Sequence, residues 1–153
     1  MSGFRPVKTD ETDSFFRAFK ADTKVDADRY DVVSFGDSVE MADELLALTL
    51  AGIKRATAAL ARDFGEGREP LPAVGDYVVV VDGRNKPRCV WRTTDIEVKP
   101  LDEGEGDATR AWWLKAHRAE FARRAERDGF AFHDRIETVF ERFTIVWPRL
   151  FAD

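Results

Sequence analysis

The chain has 153 residues, 44% of them hydrophobic and 35% charged, with a formal net charge of −5; these proportions suit one soluble globular domain over 1–153 with a real core. No apolar run approaches membrane-spanning length and residues 1–13 carry no signal-peptide core, so no membrane partner is expected. The lone cysteine, Cys89, excludes an internal disulfide framework, and a reducing cytoplasm is the natural compartment.

Thr12 and Asp13 can cap a short first helix carrying Phe15, Phe16 and Phe19, and residues 22–31 form an acidic connector. Residues 32–35 read as a short strand ended by Gly36-Asp37. Over 37–50, Val39, Met41, Leu45, Leu46, Leu48 and Leu50 fall at roughly helical spacing. Asp37 or Ser38 is the expected cap, with Glu40 reaching back as in a capping box, and Gly52 sits where a C-cap belongs. Residues 58–62 lead into a Gly/Pro-rich loop, "GEGREPLP". Tyr77–Val81 is a buried strand, "DGRNKP" its turn, and 89–98 alternate well enough to complete a hairpin. After a loop at 100–106, residues 107–128 form a helix whose inner side carries Trp112, Trp113, Ala116, Phe121 and Ala125. Gly129 stops it, and Glu137–Trp147 is the last strand. Helices interspersed with mostly antiparallel strands define an α+β fold.

Two segments carry candidate chemistry. In Gly52-Ile53-Lys54-Arg55-Ala56-Thr57 a lysine and a threonine stand three residues apart, just past a helix end. At the mouth of a core, such a lysine has its pKa lowered by desolvation and can act as a base or as a close partner for a hydroxyl. Spacing alone favours the plainer alternative, a solvated charge near a helix C-terminus. The second segment, Glu103-Gly104-Glu105-Gly106-Asp107, has glycines that let backbone approach a ligand and a following helix start suited to an anion. Its plainer alternative is an acidic loop with Asp107 or Thr109 as N-cap. No histidine pair or cysteine cluster has metal-ligand spacing, so neither metal nor cofactor is expected. Cys89 on a strand is a small buried hydrophobe rather than a nucleophile.

Four segments in order, "SFGDSVEMADELLALTLAGIKRAT" at 34–57, "VGDYVVVVDGRNKPRCVWRTTDIEV" at 74–98, "EGEGDATRAWWLKAH" at 103–117 and "ERFTIVWP" at 141–148, resemble the bacterial ASCH domain family, which is related to PUA RNA-binding modules. The resemblance spans about 29–148. It implies a small, partly open, mostly antiparallel PUA-like β-barrel surrounded by helices, with a core at 31–148 and a helical extension at 1–30. Some members are associated with hydrolysis of acylated cytidine nucleosides by a lysine, a threonine and a loop glutamate. Those roles fall on Lys54, Thr57 and Glu105, with Glu103 the alternative under a small register shift. Thr57 would supply a hydroxyl, Lys54 as free amine would deprotonate it, and Glu105 would shuttle a proton. Because positions i and i+3 of an extended segment face opposite ways, this needs a turn near Lys54.

Longer members are linked to metal-independent cleavage of single-stranded RNA, and this chain looks more like them in length and motif content. Lys54 would then be the cation for the phosphorane charge, with Arg92 of "WRTT" a second. The ligand-binding set implied is Phe35, Asp37, Arg92, Thr93, Asp107, Trp113 and His117. Phe35 and Trp113 would offer stacking surfaces, although core packing is the plainer role of each aromatic. His117, on the helix of Trp113, is a secondary acid–base candidate and His133 a surface residue. Only Leu101-Asp102 separates "RTTDIEVKP" from "EGEGD", where relatives have a longer stretch, so one cleft wall is expected to be shortened.

Charge restricts the partner. Residues 1–50 hold 11 acidic and 6 basic side chains, while 51–153 hold 18 of each. Long phosphate backbones gain no general attraction from such a chain, and affinity must come from a local cleft for a nucleoside, a nucleotide or a short single-stranded RNA. The first expectation is an RNA- or ribonucleoside-directed hydrolase, best a single-strand ribonuclease. The alternatives are an N4-acylcytidine amidohydrolase, a non-catalytic binding module, or a protein-interaction domain using the acidic first third.

Overall fold

The computed structural model describes residues 6–104 and 110–153, without the side chains of Arg110, Trp112 and Trp113. Its elements are α1 (Asp10–Thr23), β1 (Asp31–Val33), α2 (Val39–Leu50), β2 (Ala56–Leu60), β3 (Tyr77–Val81), β4 (Pro87–Pro100), α3 (Arg110–Asp128) and β5 (Glu137–Trp147), with three short 3-10 turns. The strands form one five-stranded sheet in the order β1-β3-β4-β5-β2. β1 runs parallel to β3, and every other pairing is antiparallel. The long β4–β5 ladder runs from Val90–Trp147 to Pro100–Glu137 and is broken by bulges at Val90/Trp91 and Thr93/Asp95. Bulges increase local twist and bend the strand, and the sheet curls into a half-barrel.

The barrel expected from the resemblance is therefore not closed, although mostly antiparallel pairing holds. β1 has three residues and β2 five, and among the described residues they stand as the two opposite sheet edges.

The Tyr77–Val81 run explains where the core lies. Val78 and Val80 pack with Phe35, Leu45, Leu46, Cys89, Trp91, Phe143 and Ile145 on the α2 side. Val79 and Val81 pack with Phe16, Phe19, Tyr30 and Val90 on the α1 side. A strand buried on both faces reads as a continuous apolar run, not an alternating one, and each buried valine is worth about 1.5–3 kcal/mol. A third cluster, Leu60, Leu101, Phe121 and Phe140, lies under α3.

Helix ends differ from expectation in detail. α1 starts earlier, with Thr9 as cap, while Thr12 closes the capping box from inside the first turn. Ser38 caps α2 through Met41 N–H at 3.1 Å; Glu40 stands one position too early to return the bond. At the other end Gly52 adopts φ +86°. Its N–H bonds Thr49 O, and those of Ile53 and Lys54 bond Leu48 O. This left-handed stop, which glycine tolerates without strain, reverses the chain immediately before Lys54. β2 was not legible as a strand: Ala-Thr-Ala-Ala-Leu has weak β propensity, and its ladder with β5 supplies what the sequence lacks.

Candidate functional site

A cleft of about 490 Å³ opens between the two edge strands, lined by Asp31, Val32 and Val33 on one side and Thr57, Ala58 and Ala59 on the other. His117 and Glu120 of α3 form a further wall, and Trp91 and Glu141 contribute from the sheet. Its inner recess is bordered by Phe35, Gly36, Met41, Lys54, Thr57, His117 and Glu120. The volume suits one nucleoside-sized ligand.

Lys54 is 2% exposed. Its Nζ donates to the Ala56 carbonyl at 2.5 Å and lies over the Phe35 ring, 4.8 Å from the centroid. The solvated alternative for this lysine is thus excluded. Lys54 precedes β2, which begins at Ala56, so strand alternation does not separate it from Thr57. Both side chains border the same recess. Gly36 keeps that recess open: it has φ +74°, and an added Cβ would lie 2.4 Å from Met41 Cγ.

Arg55 turns the other way. Its guanidinium holds Asp153 at 2.7 Å and donates to the carbonyls of Thr49 and Lys54, which clamps the turn that presents Lys54.

Two carboxyls that the sequence reading missed complete the site. Burial, reinforced by Asp37 and Asp63 and opposed by Arg123 and Arg124, pushes Glu120 up to about 7. Burial also raises Glu141, against the hydrogen bond from Thr93. Thr93 Oγ1 donates to Glu141 Oε2 at 2.6 Å and accepts from Trp91 Nε1 at 3.2 Å. Burial and the neighbouring Asp76 raise Asp31 in the same direction. Glu120 could have been found from its place one turn after His117 on the same helix. Glu141 reaches the cleft only through long-range pairing, opposite Thr57 of β2 and Ile96 of β4.

The other expected residues are distributed as follows. Phe35 is 3% exposed and stacks on Trp91 and Phe143 at 5.9 and 6.4 Å, so it is core and cleft wall together. His117 lines the cleft and meets Phe121 edge-on at 5.6 Å. Thr93 is buried and outside the cleft lining, and its hydroxyl donates to Glu141. Asp37 is not brought into the cleft lining; it pairs with Arg123 at 2.6 Å. Arg92 is exposed, on the strand position between inward Trp91 and Thr93, and so faces away from them. Glu103 pairs with Arg135 at the surface, outside the cleft. Glu105, Asp107 and the Trp113 side chain lie outside the described residues. His133 is exposed. Burial pushes the Cys89 thiol up to about 12, as suits a core residue. Among the described residues no group of three or more His, Cys, Asp or Glu could hold a metal ion, and no helix is long and apolar enough to cross a membrane.

A curled, mostly antiparallel half-barrel with helices packed outside and a cleft between its edge strands is a PUA-like α+β architecture. The chain belongs to the ASCH domain family, a family associated with RNA; the ASCH domain model matches residues 31–147. Two solved structures are similar. A protein from Enterococcus faecalis is 26% identical with a TM-score of 0.80, covering 89% of this chain and 88% of its own. An ASCH domain from Lactobacillus crispatus is also 26% identical with a TM-score of 0.79, covering 92% of this chain and 96% of its own. No curated protein matches the chain.

Proposed function

We propose that this chain is a ribonucleoside-directed hydrolase that removes an acyl group from the exocyclic amine of cytidine. The observation that carries the reading is the burial of Lys54 in one recess with Thr57, His117 and Glu120. In the proposed reaction Thr57 Oγ1 adds to the acyl carbon while its proton passes to Lys54 Nζ. Collapse of the tetrahedral adduct breaks the C–N bond, and protonated Glu120 gives its proton to the departing nitrogen. Water then attacks the acyl-threonine and loses a proton to the Glu120 carboxylate, and Thr57 regains its own from Lys54. Amide and water become carboxylic acid and free amine. A carboxyl whose pKa lies about 7 is suited to both directions of this transfer.

Charge ranks this reading above phosphodiester cleavage. With Glu120 and Glu141 protonated and Lys54 a free amine, Asp31 and Glu69 still face Lys8 alone in the cleft lining, so a phosphate entering it meets more carboxylates than cations. A neutral nucleoside does not carry that penalty. One observation favours a second reading, a binding module without turnover: the Lys54 amine already donates to Ala56 O and lies over Phe35, positions that also suit a structural ammonium.

The test is incubation with N4-acetylcytidine, and separately with labelled single-stranded RNA, in EDTA, alongside Lys54→Ala and Thr57→Ala. The expected result is release of cytidine and acetate by the wild type and by neither variant. Saturable nucleoside binding without product would establish the binding module instead. RNA cleavage lost in Lys54→Ala would establish a ribonuclease.

A further inference from the structure

Glu141 takes no part in the proton transfers above, yet it is among the most carefully held groups in the cleft. It stands opposite Thr57 on the β2–β5 ladder and lines the same cavity. Its hydrogen-bond partners are neutral: the Thr93 hydroxyl at 2.6 Å and the Trp91 indole, whose N–H also lies 3.2 Å from Thr93 Oγ1. Thr93 is 0% and Trp91 1% exposed, and Trp91 is itself pinned by parallel stacking on Phe143 at 4.0 Å. An indole N–H can only donate. The Thr93 oxygen therefore accepts from Trp91, and its own proton points to Glu141 Oε2. This relay fixes the polarity of the carboxyl: Oε2 is the acceptor oxygen, and a proton carried by Glu141 sits on Oε1. Burial, with Asp31 and Asp76 nearby, favours that protonated form.

We infer that Glu141 selects the base, its carboxyl pairing through Oε1–H and Oε2 with a nucleobase edge that presents one acceptor beside one N–H donor. The inference rests on the nucleoside reading above. Cytosine has such an edge in its ring N3 and exocyclic N–H, and an acyl group on the exocyclic nitrogen leaves one N–H in place. Guanine presents two adjacent donors and suits an ionised carboxylate with two acceptors instead. Thr93 is a positioning residue for this contact, and Trp91 positions Thr93.

The test is calorimetric titration of the full chain with cytidine and with guanosine, neither of which carries a bond to be hydrolysed. Wild type, Glu141→Gln, Glu141→Leu and Thr93→Val are compared, each checked by thermal melting. Glutamine offers the same donor and acceptor as a neutral carboxyl, so Glu141→Gln is expected to bind cytidine within about threefold of wild type. Glu141→Leu is expected to bind it roughly ten- to a hundredfold more weakly. If Glu141→Leu does not fold, Thr93→Val carries the test, with an expected fall of about fivefold or more in preference for cytidine over guanosine. Wild-type affinity in Glu141→Leu, unchanged preference in Thr93→Val, or loss in Glu141→Gln as deep as in Glu141→Leu would each overturn the inference and leave the nucleoside reading standing. Failure of the wild type to bind any nucleoside would overturn both.

Discussion

The Nζ of Lys54 lies 4.8 Å above the centre of the Phe35 ring, and both side chains are almost fully buried, at 2% and 3% exposure. Holding an amine this far from water costs folding free energy that a function repays. Lys54→Met, which keeps the length of the side chain and removes the amine, is expected to fold and to lose turnover by about a hundredfold or more. Paired measurements of urea unfolding and acetate release check this. A stability loss equal to the activity loss would make Lys54 structural.

Glu120 makes stability depend on pH in a direction opposite to most carboxylates. Its folded value is about 7 and its ordinary value 4.5, so between these the folded state binds more protons than the unfolded one. Its contribution is full below 4.5 and is lost as pH rises through 7. Glu120→Gln is expected to flatten that slope, raising stability at high pH by about 1–3 kcal/mol, and to slow amide hydrolysis at least tenfold. Urea titrations on the acid and alkaline sides of neutrality, run beside the activity assay, check both.

Gly36 has two reasons to be glycine, its positive φ and the approach of Met41. Gly36→Ala is expected to cost about 1–3 kcal/mol and to push Met41 into the recess. The measurement is a melting temperature together with nucleoside affinity, and loss of both is expected.

Cys89 is fully buried with its thiol pushed up to about 12. Its thiolate is negligible at neutral pH, so a chromogenic disulfide reagent is expected to leave the native protein unlabelled and to label it fully in guanidinium. Rapid labelling of the native state would contradict the packing described for β4.

Lys54 and Thr57 were legible because the information is local: an amphipathic helix, a glycine stop and a short motif. The terminal strand and the valine run were legible for the same reason. Glu141 was not, because nothing within a few residues marks it; Glu120 carried only the faint local signal of standing one turn after His117. Glu141 becomes a cleft residue only when β5 pairs with β2 on one side and β4 on the other. β2 itself was missed since alanines carry little strand preference, and the partner strand decides. Arg92 shows the converse error. The motif around it suggested a cation for the site, but strand alternation turns it away while Trp91 and Thr93 face inward.

Among the described residues, the two strands that frame the cleft are the sheet's outermost members and share no ladder with each other. Backbone pairing therefore does not set the width of the aperture; the side chains standing in it do. Lengthening or trimming a few of them would admit a larger or smaller ligand while every rung of the β3–β4–β5 core stays in register. In this architecture the scaffold and the gauge of its mouth are separately adjustable.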